Sequence, residues 1–198
     1  VDGTVVDDQG EDANTAPERY TTGLSFNNNG TKMFITGTEN RSVNEFTLST
    51  AFDISTRSFV DAFSVRGTGA NEELAPTSAK FNDDGTKMFT AGFKQFIKEF
   101  SLSTAFDVST STFEQIKDLS TELTADRPKD IEFNADGTKM FILETSSIYV
   151  YTLSTAFDIS TASYDNYAFS TADYETSLTG FDFNDDGTVM FILGTQND

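Results

Sequence analysis

FNDDGTKMFTAG, residues 81–92, is one of four versions of the same phrase; the others are FNNNGTKMFITG from Phe26, FNADGTKMFILE from Phe133 and FNDDGTVMFILG from Phe183. Successive copies begin 55, 52 and 50 residues apart. A second phrase follows each of the first three: LSTAFDIST from Leu48, LSTAFDVST from Leu102 and LSTAFDIST from Leu153, spaced 54 and 51. Two phrases recurring in fixed order at one period are the signature of a repeat architecture.

Each unit reads as four short strands, A to D. Strand A ends in the Phe that opens the first phrase, as in Leu24-Ser25-Phe26 and Ile131-Glu132-Phe133. N-x-[DN]-G then suits a type I turn closed by a left-handed residue, a conformation glycine adopts freely. Strand B is Lys32–Thr36 and its equivalents, apolar on both faces. Strand C covers Val43–Leu48, Ile97–Leu102 and Ile148–Leu153; strand D covers Ser58–Phe63, Thr112–Lys117 and Tyr164–Phe169. No window sustains a 3.6-residue period, so helix is expected to be near zero. Four-stranded units of about 50 residues predict an all-β β-propeller of antiparallel blades, with a solenoid or an array of separate hairpins as the alternative. Sheets buried on both faces account for 20 Phe in a chain this polar. Blades are expected at 23–75, 76–127 and 128–177, and the first half of a fourth at 178–198. Residues 1–10 read as a D-type strand, because Thr4–Asp8 aligns with Phe59–Phe63. A fourth unit with strands A and B but no C would leave an unpaired edge. The expectation is that the N-terminal strand slips in beside strand B, or that the ring is completed by further blades of a larger parent chain or by a second copy.

F-N-x-D-G-T-K-M-F followed by [YF]-x-L-S-T-A-F-D-[IV]-S-T resembles a tandem propeller repeat common in proteins of marine bacteria and their phages. N-x-D-G-T-K-M-F is more distantly similar to the S-P-D-G-x-x-[IL] blade motif of TolB-like and lactonase-like propellers. The resemblance covers residues 20–198. It implies a propeller with no catalytic signature and, in phage proteins, a tail or fibre component that recognises a surface.

Composition removes whole classes of function. The 198 residues carry 32 acidic and 13 basic side chains, net charge −19, which would repel nucleic acid and anionic membranes. His, Cys and Trp are absent. There is therefore no Ser-His-Asp triad, imidazole zinc site, thiol nucleophile or disulfide. No apolar run approaches the ~20 residues of a membrane span, and VDGTVVDDQGED lacks the parts of a signal peptide.

Alternating strand directions put the A–B and C–D turns at one end of the blades and the B–C turns and D–A crossovers at the other. The first set is nearly identical between blades, whereas the second differs in each: residues 38–42, 93–95 and 145–147, and crossovers 66–75, 121–127 and 171–177. Varied loops on a rigid frame are where binding residues collect. Arg41, Arg66, Phe93, Lys94 and Arg127 at that end are candidate ligand-binding residues; the alternative is ordinary solvated loop charge. At the repeated end Asp83, Asp84, Asp185 and Asp186, with Asp53, Asp107, Asp136 and Asp158, offer carboxylates to calcium or serve turn chemistry, the spacing being unlike an EF-hand. Phe52, Phe106 and Phe157 recur once per blade and are expected to plug the gap beneath each C–D turn.

Catalytic propellers of the lactonase, phytase, sialidase and quinone-dependent kinds need His, metals, Asp-box turns or Trp motifs that this chain lacks. The expectation is a non-enzymatic module, extracellular or on a virion, that recognises a cell-surface glycan, a protein receptor or neighbouring surface proteins. The alternatives are a structural spacer and a hydrolase using carboxylates alone, for which two Asp/Glu residues suffice.

Overall fold

A computed structural model of the chain describes residues 20–69, 72–123, 127–184 and 186–195. The first sheet is a meander of β1 (Thr21–Phe26), β2 (Lys32–Gly37), β3 (Ser42–Leu48) and β4 (Arg57–Ser64). The second repeats it with β5 (Pro76–Phe81), β6 (Lys87–Gly92), β7 (Phe96–Leu102) and β8 (Ser111–Asp118). The third has β9 (Asp130–Phe133), β10 (Lys139–Glu144), β11 (Ser147–Leu153) and β12 (Ala162–Ser170). A hairpin of β13 (Leu178–Phe183) and β14 (Met190–Gly194) begins the fourth. Every pairing is antiparallel. The expected D-type strand at Thr4–Asp8 lies outside the described residues. Among the described residues no helix is long and apolar enough to cross a membrane.

Each letter of the first phrase has a task. In FNDDGTK the Asn82 Oδ1 accepts from the Lys87 N–H at 2.9 Å, and the Asp84 Oδ1 accepts from the Thr86 N–H at 2.9 Å. Gly85 stands at φ 71°, with equivalents Gly30, Gly137 and Gly187 at 68°, 68° and 69°. The second phrase closes a short 3-10 turn, at Ile54–Thr56, Val108–Thr110 and Ile159–Thr161, capped by the Asp before it. The sequence reading missed these turns. They arise because the Asp carboxylate accepts from the N–H two residues on, and Phe52, Phe106 and Phe157 take the left-handed conformation just ahead.

The first strands β1, β5, β9 and β13 touch in succession and line a common axis, while the outer strands β4 and β8 reach the 3-10 turn of the next sheet. Apolar cores lie between successive sheets. Each full joint holds three rings: Phe34 of one blade against Phe81 and Phe106 of the next, at 4.2 and 6.4 Å, then Phe89 against Phe133 and Phe157, at 4.6 and 6.4 Å. Phe106 and Phe157 therefore plug the space between blades, as their recurrence implies, whereas Phe52 packs on Phe26 of its own unit and is 59% exposed. A buried aromatic side chain is worth roughly 1.5–3 kcal/mol, so each triad adds to the cohesion that the aliphatic residues around it supply.

A polar clamp accompanies the rings. Lys32 Nζ pairs with Glu45 at 2.6 Å and donates to the Phe106 carbonyl at 2.7 Å, and Glu45 accepts from the Val108 N–H at 3.0 Å. The next joint repeats it: Lys87 with Glu99 at 2.6 Å, Lys87 to the Phe157 carbonyl at 2.7 Å, and the Ile159 N–H to Glu99 at 3.1 Å. The third blade has Val150 where Glu45 and Glu99 stand, and Lys139 pairs instead within its own sheet with Asp165 at 2.7 Å.

Candidate functional site

Of the five residues singled out at the variable end, Arg41, Phe93, Lys94 and Arg127 come together on one surface over the first two sheets and their crossovers. Arg41, at φ 53° in the β2–β3 turn, donates through Nε to the Leu74 carbonyl at 3.2 Å. Next to Leu74, the buried Glu73 accepts from the N–H groups of Ala75 and Phe93, at 2.9 and 2.8 Å, and of Lys94 at 3.4 Å. It thereby ties the first crossover to the β6–β7 turn. Phe93 is 41% exposed, and the Arg127 guanidinium from the second crossover stands 4.8 Å from its ring centre. Arg66 is turned aside into a pair with Glu72 at 2.8 Å within its own crossover.

Lys98, buried on β7, supports this surface from below. Its ammonium donates to the carbonyls of Val65 and Arg66 at 2.6 and 3.1 Å. Burial pushes its pKa down to about 8. Sequence reasoning missed Glu73. A signal existed: Glu73 and Glu175 each lie three residues before the next first strand, at Pro76 and Leu178. Each carboxylate fills the space over a glycine, Gly92 and Gly194 respectively.

The acidic residues of the repeated end do not assemble. Among the described residues no group of three or more carboxylates is placed to hold a metal ion. Asp84 and Asp186 each accept from the hydroxyl of Thr86 and Thr188, and then from their N–H groups at 2.9 and 3.0 Å, which holds both carboxyls below the usual range. Asp83 occupies the free position of its turn, its carbonyl accepting from Asn28 at 2.8 Å. Asp185 lies outside the described residues.

A second cluster, unforeseen from the sequence, lines the axis. The residue before the motif Phe is Ser25, Lys80, Glu132 and Asp182 in successive units. The Lys80 ammonium lies against the Glu132 carboxyl, a contact that becomes an ion pair when the carboxyl loses its proton. Asp130, two residues before Glu132, accepts from the Ile131 and Phe181 N–H groups at 2.9 and 3.2 Å. Lys80, Asp130 and Asp182 border an axial cavity of about 350 Å³, and Glu132 and Asp182 border one of about 430 Å³ between the last two sheets. Burial pushes the Glu132 carboxyl up to about 8 against the pull of Lys80, and burial likewise raises Asp130. Burial opposes the Lys80 charge, but Glu132, Asp130 and Asp182 more than offset it, so its pKa rises.

This cluster gives a pH dependence with a definite sign. An unfolded glutamate ionises near 4.5, whereas folded Glu132 keeps its proton to about 8. Between those values the folded state binds more protons, so stability falls as pH rises. The melting temperature is expected to drop between about pH 5 and pH 8, and Glu132→Gln to flatten that slope. An unchanged slope in the variant would assign the effect elsewhere.

No protein-family model matches the chain, and no curated protein matches it in sequence. Solved structures do match in fold. A proposed 6-phosphogluconolactonase from Bacteroides uniformis is 13% identical with a TM-score of 0.59, over 87% of this chain and 46% of that one. A functionally unknown protein from Desulfotomaculum acetoxidans is 18% identical with a TM-score of 0.57, over 90% and 52%. The Cps50 (Swd1) β-propeller domain of Myceliophthora thermophila is 13% identical with a TM-score of 0.52, over 88% and 50%. The chain thus spans about half the length of the propellers it matches, and identity this low carries fold alone. Sheet order, ring triads and these likenesses together make the chain a β-propeller built of four-stranded antiparallel blades.

Proposed function

We propose that the protein is a non-catalytic recognition module, displayed on a cell or virion surface, that binds an acidic glycan at its variable end. The observation that carries this reading is the half-exposed Phe93 ring under the Arg127 guanidinium, with Lys94 beside it and Arg41 on the adjoining loop. A sugar needs an aromatic face to stack on, and a uronic or sialic acid needs a cation beside that face; both come from loops braced by Glu73 and Lys98. The loops that carry them also hold acidic side chains, so what would recognise an acidic sugar is the local placing of Arg127 and Lys94 about the ring and not the charge of the whole end. Binding to an array of neutral and acidic glycans tests the reading. Phe93→Ala and Arg127→Ala are each expected to weaken capture of acidic glycans about tenfold or more while the melting temperature stays put. Capture equal to wild type in both variants would refute it.

A second reading, a carboxylate-dependent hydrolase in the axial channel, is favoured by Glu132, whose proton is held to about 8 beside Asp130 and Asp182. Lactonase activity lost in Glu132→Gln would favour this alternative.

A further inference from the structure

The joint between the first two sheets is not filled along its whole length. A cavity of about 230 Å³ lies between the end of β4 and strands β7 and β8, lined by Phe63, Val65, Gly67, Lys98, Phe100 and Phe113 among others. Its apolar side is a run of rings set edge to face. Phe63 and Phe100 have centres 5.4 Å apart with planes at 82°, and Phe100 and Phe113 stand at 5.9 Å and 72°. Phe100 and Val65 are buried, whereas Phe113 is 44% exposed.

Lys98 gives this cavity a charge that the fold does not ask for. It pairs with Thr90 in the strand register, as Asn44 pairs with Ile35 and Tyr149 with Ile142, so the three stand at one position of the blade. Neither of the others is a cation, and Tyr149 fills its place with a ring 6.0 Å from that of Tyr164. Lys98 is only 2% exposed. Its ammonium donates to the Val65 and Arg66 carbonyls, in the same segment that walls the cavity, and lies 5.6 Å from the centre of the Phe96 ring. All three partners are neutral. Among the described residues no carboxylate stands within ion-pair distance of it. Burial holds its pKa down to about 8, and Glu73 and Glu72, acting from further off, offset that only in part. A charge taken out of water is as a rule matched by an opposite one.

We propose that this cavity binds a small aromatic carboxylate, its ring standing among Phe63, Phe100 and Phe113 and its carboxylate giving Lys98 the counter-charge that the chain does not. Each half of such a ligand answers a separate feature. Rings already packed edge to face favour another ring in the same arrangement. A cavity of roughly 150 Å³ takes benzene, so this one has room for a ring and a carboxylate and little more. The site is distinct from the variable-end surface, since none of Arg41, Phe93, Lys94 and Arg127 lines it.

Isothermal titration of the 198-residue chain at pH 7 with benzoate, and with benzamide as its uncharged counterpart, tests the proposal. Benzoate is expected to bind one to one with a dissociation constant below about 1 mM, and benzamide about tenfold more weakly or worse. Phe113→Ala, which removes a half-exposed wall, should weaken benzoate about tenfold with the far-ultraviolet circular dichroism unchanged. Lys98→Met keeps the apolar stem without the charge and should abolish the preference for benzoate over benzamide. No saturable benzoate binding at millimolar concentration would overturn the proposal. So would benzamide binding as tightly as benzoate to the wild type, a preference that survives in Lys98→Met, or Phe113→Ala binding like wild type. Loss of benzoate binding in Arg127→Ala would overturn it too, by placing the anion on the variable-end surface.

Discussion

Gly85→Val is expected to destabilise the protein by about 4 kcal/mol in chemical denaturation. Two costs combine. The position stands at φ 71°, where a β-branched residue is strained by about 1–3 kcal/mol. A Cβ there would also meet the Phe106 ring at 2.2 Å, and that ring belongs to the triad with Phe34 and Phe81, so it cannot retreat without opening the joint between the first two blades. Gly187 separates the two costs. It has nearly the same φ, 69°, and nothing within 4 Å of its would-be Cβ. Gly187→Val should therefore cost only the backbone share. Equal losses in the two variants would show that the ring plays no part.

Removing the carboxylate of Glu99 comes next in size. It accepts from Lys87 at 2.6 Å, from Gln115 at 2.8 Å and from the Ile159 N–H at 3.1 Å, almost wholly shielded from water. Glu99→Ala leaves the Ile159 N–H unsatisfied and leaves Lys87, 31% exposed, with the Phe157 carbonyl alone, at a cost of roughly 2–4 kcal/mol. Part of that loss is the Lys87 charge without its carboxylate. The double variant Lys87→Met/Glu99→Val should therefore recover that part, following the third blade, where Val150 occupies the glutamate position and Lys139 turns to Asp165. Thermal melts of the single and double variants decide. A single variant within ~0.5 kcal/mol of wild type would mean that the clamp is a bystander.

The fold was legible because the repeat states it four times. Local chemistry, the Asn82 and Asp84 bonds and the left-handed Gly85, is written in adjacent letters, and strand limits fall within two residues of those expected. The plugging Phe106 was legible from its recurrence. The clamp was not: Lys87 is a letter shared by three of the four motifs, but Glu99 lies in another strand and the groups they hold, Phe157 and Ile159, lie in another blade. The axial cluster hid in plain sight. Ser25, Lys80, Glu132 and Asp182 vary beside an invariant Phe, yet only packing around one axis brings Lys80 to Glu132 and raises its carboxyl. Of the variable-end residues, loop position placed Arg41, Phe93, Lys94 and Arg127 on one surface, but Glu73, which binds that surface together, speaks through backbone N–H groups, and its one trace in the sequence is that Glu175 recurs at the same distance before a first strand.

The clamp gives the array a direction. Lys32 and Glu45 complete the turn of the blade that follows, and Lys87 and Glu99 do the same one step on, so each of the first two units carries the finishing groups for its successor and none for itself. A stretch of gene copied in tandem would carry both a socket and a plug in the correct order, and the array could lengthen by duplication without redesign at the new seam. Val150 breaks that inheritance in the third unit, where Lys139 turns to Asp165 instead.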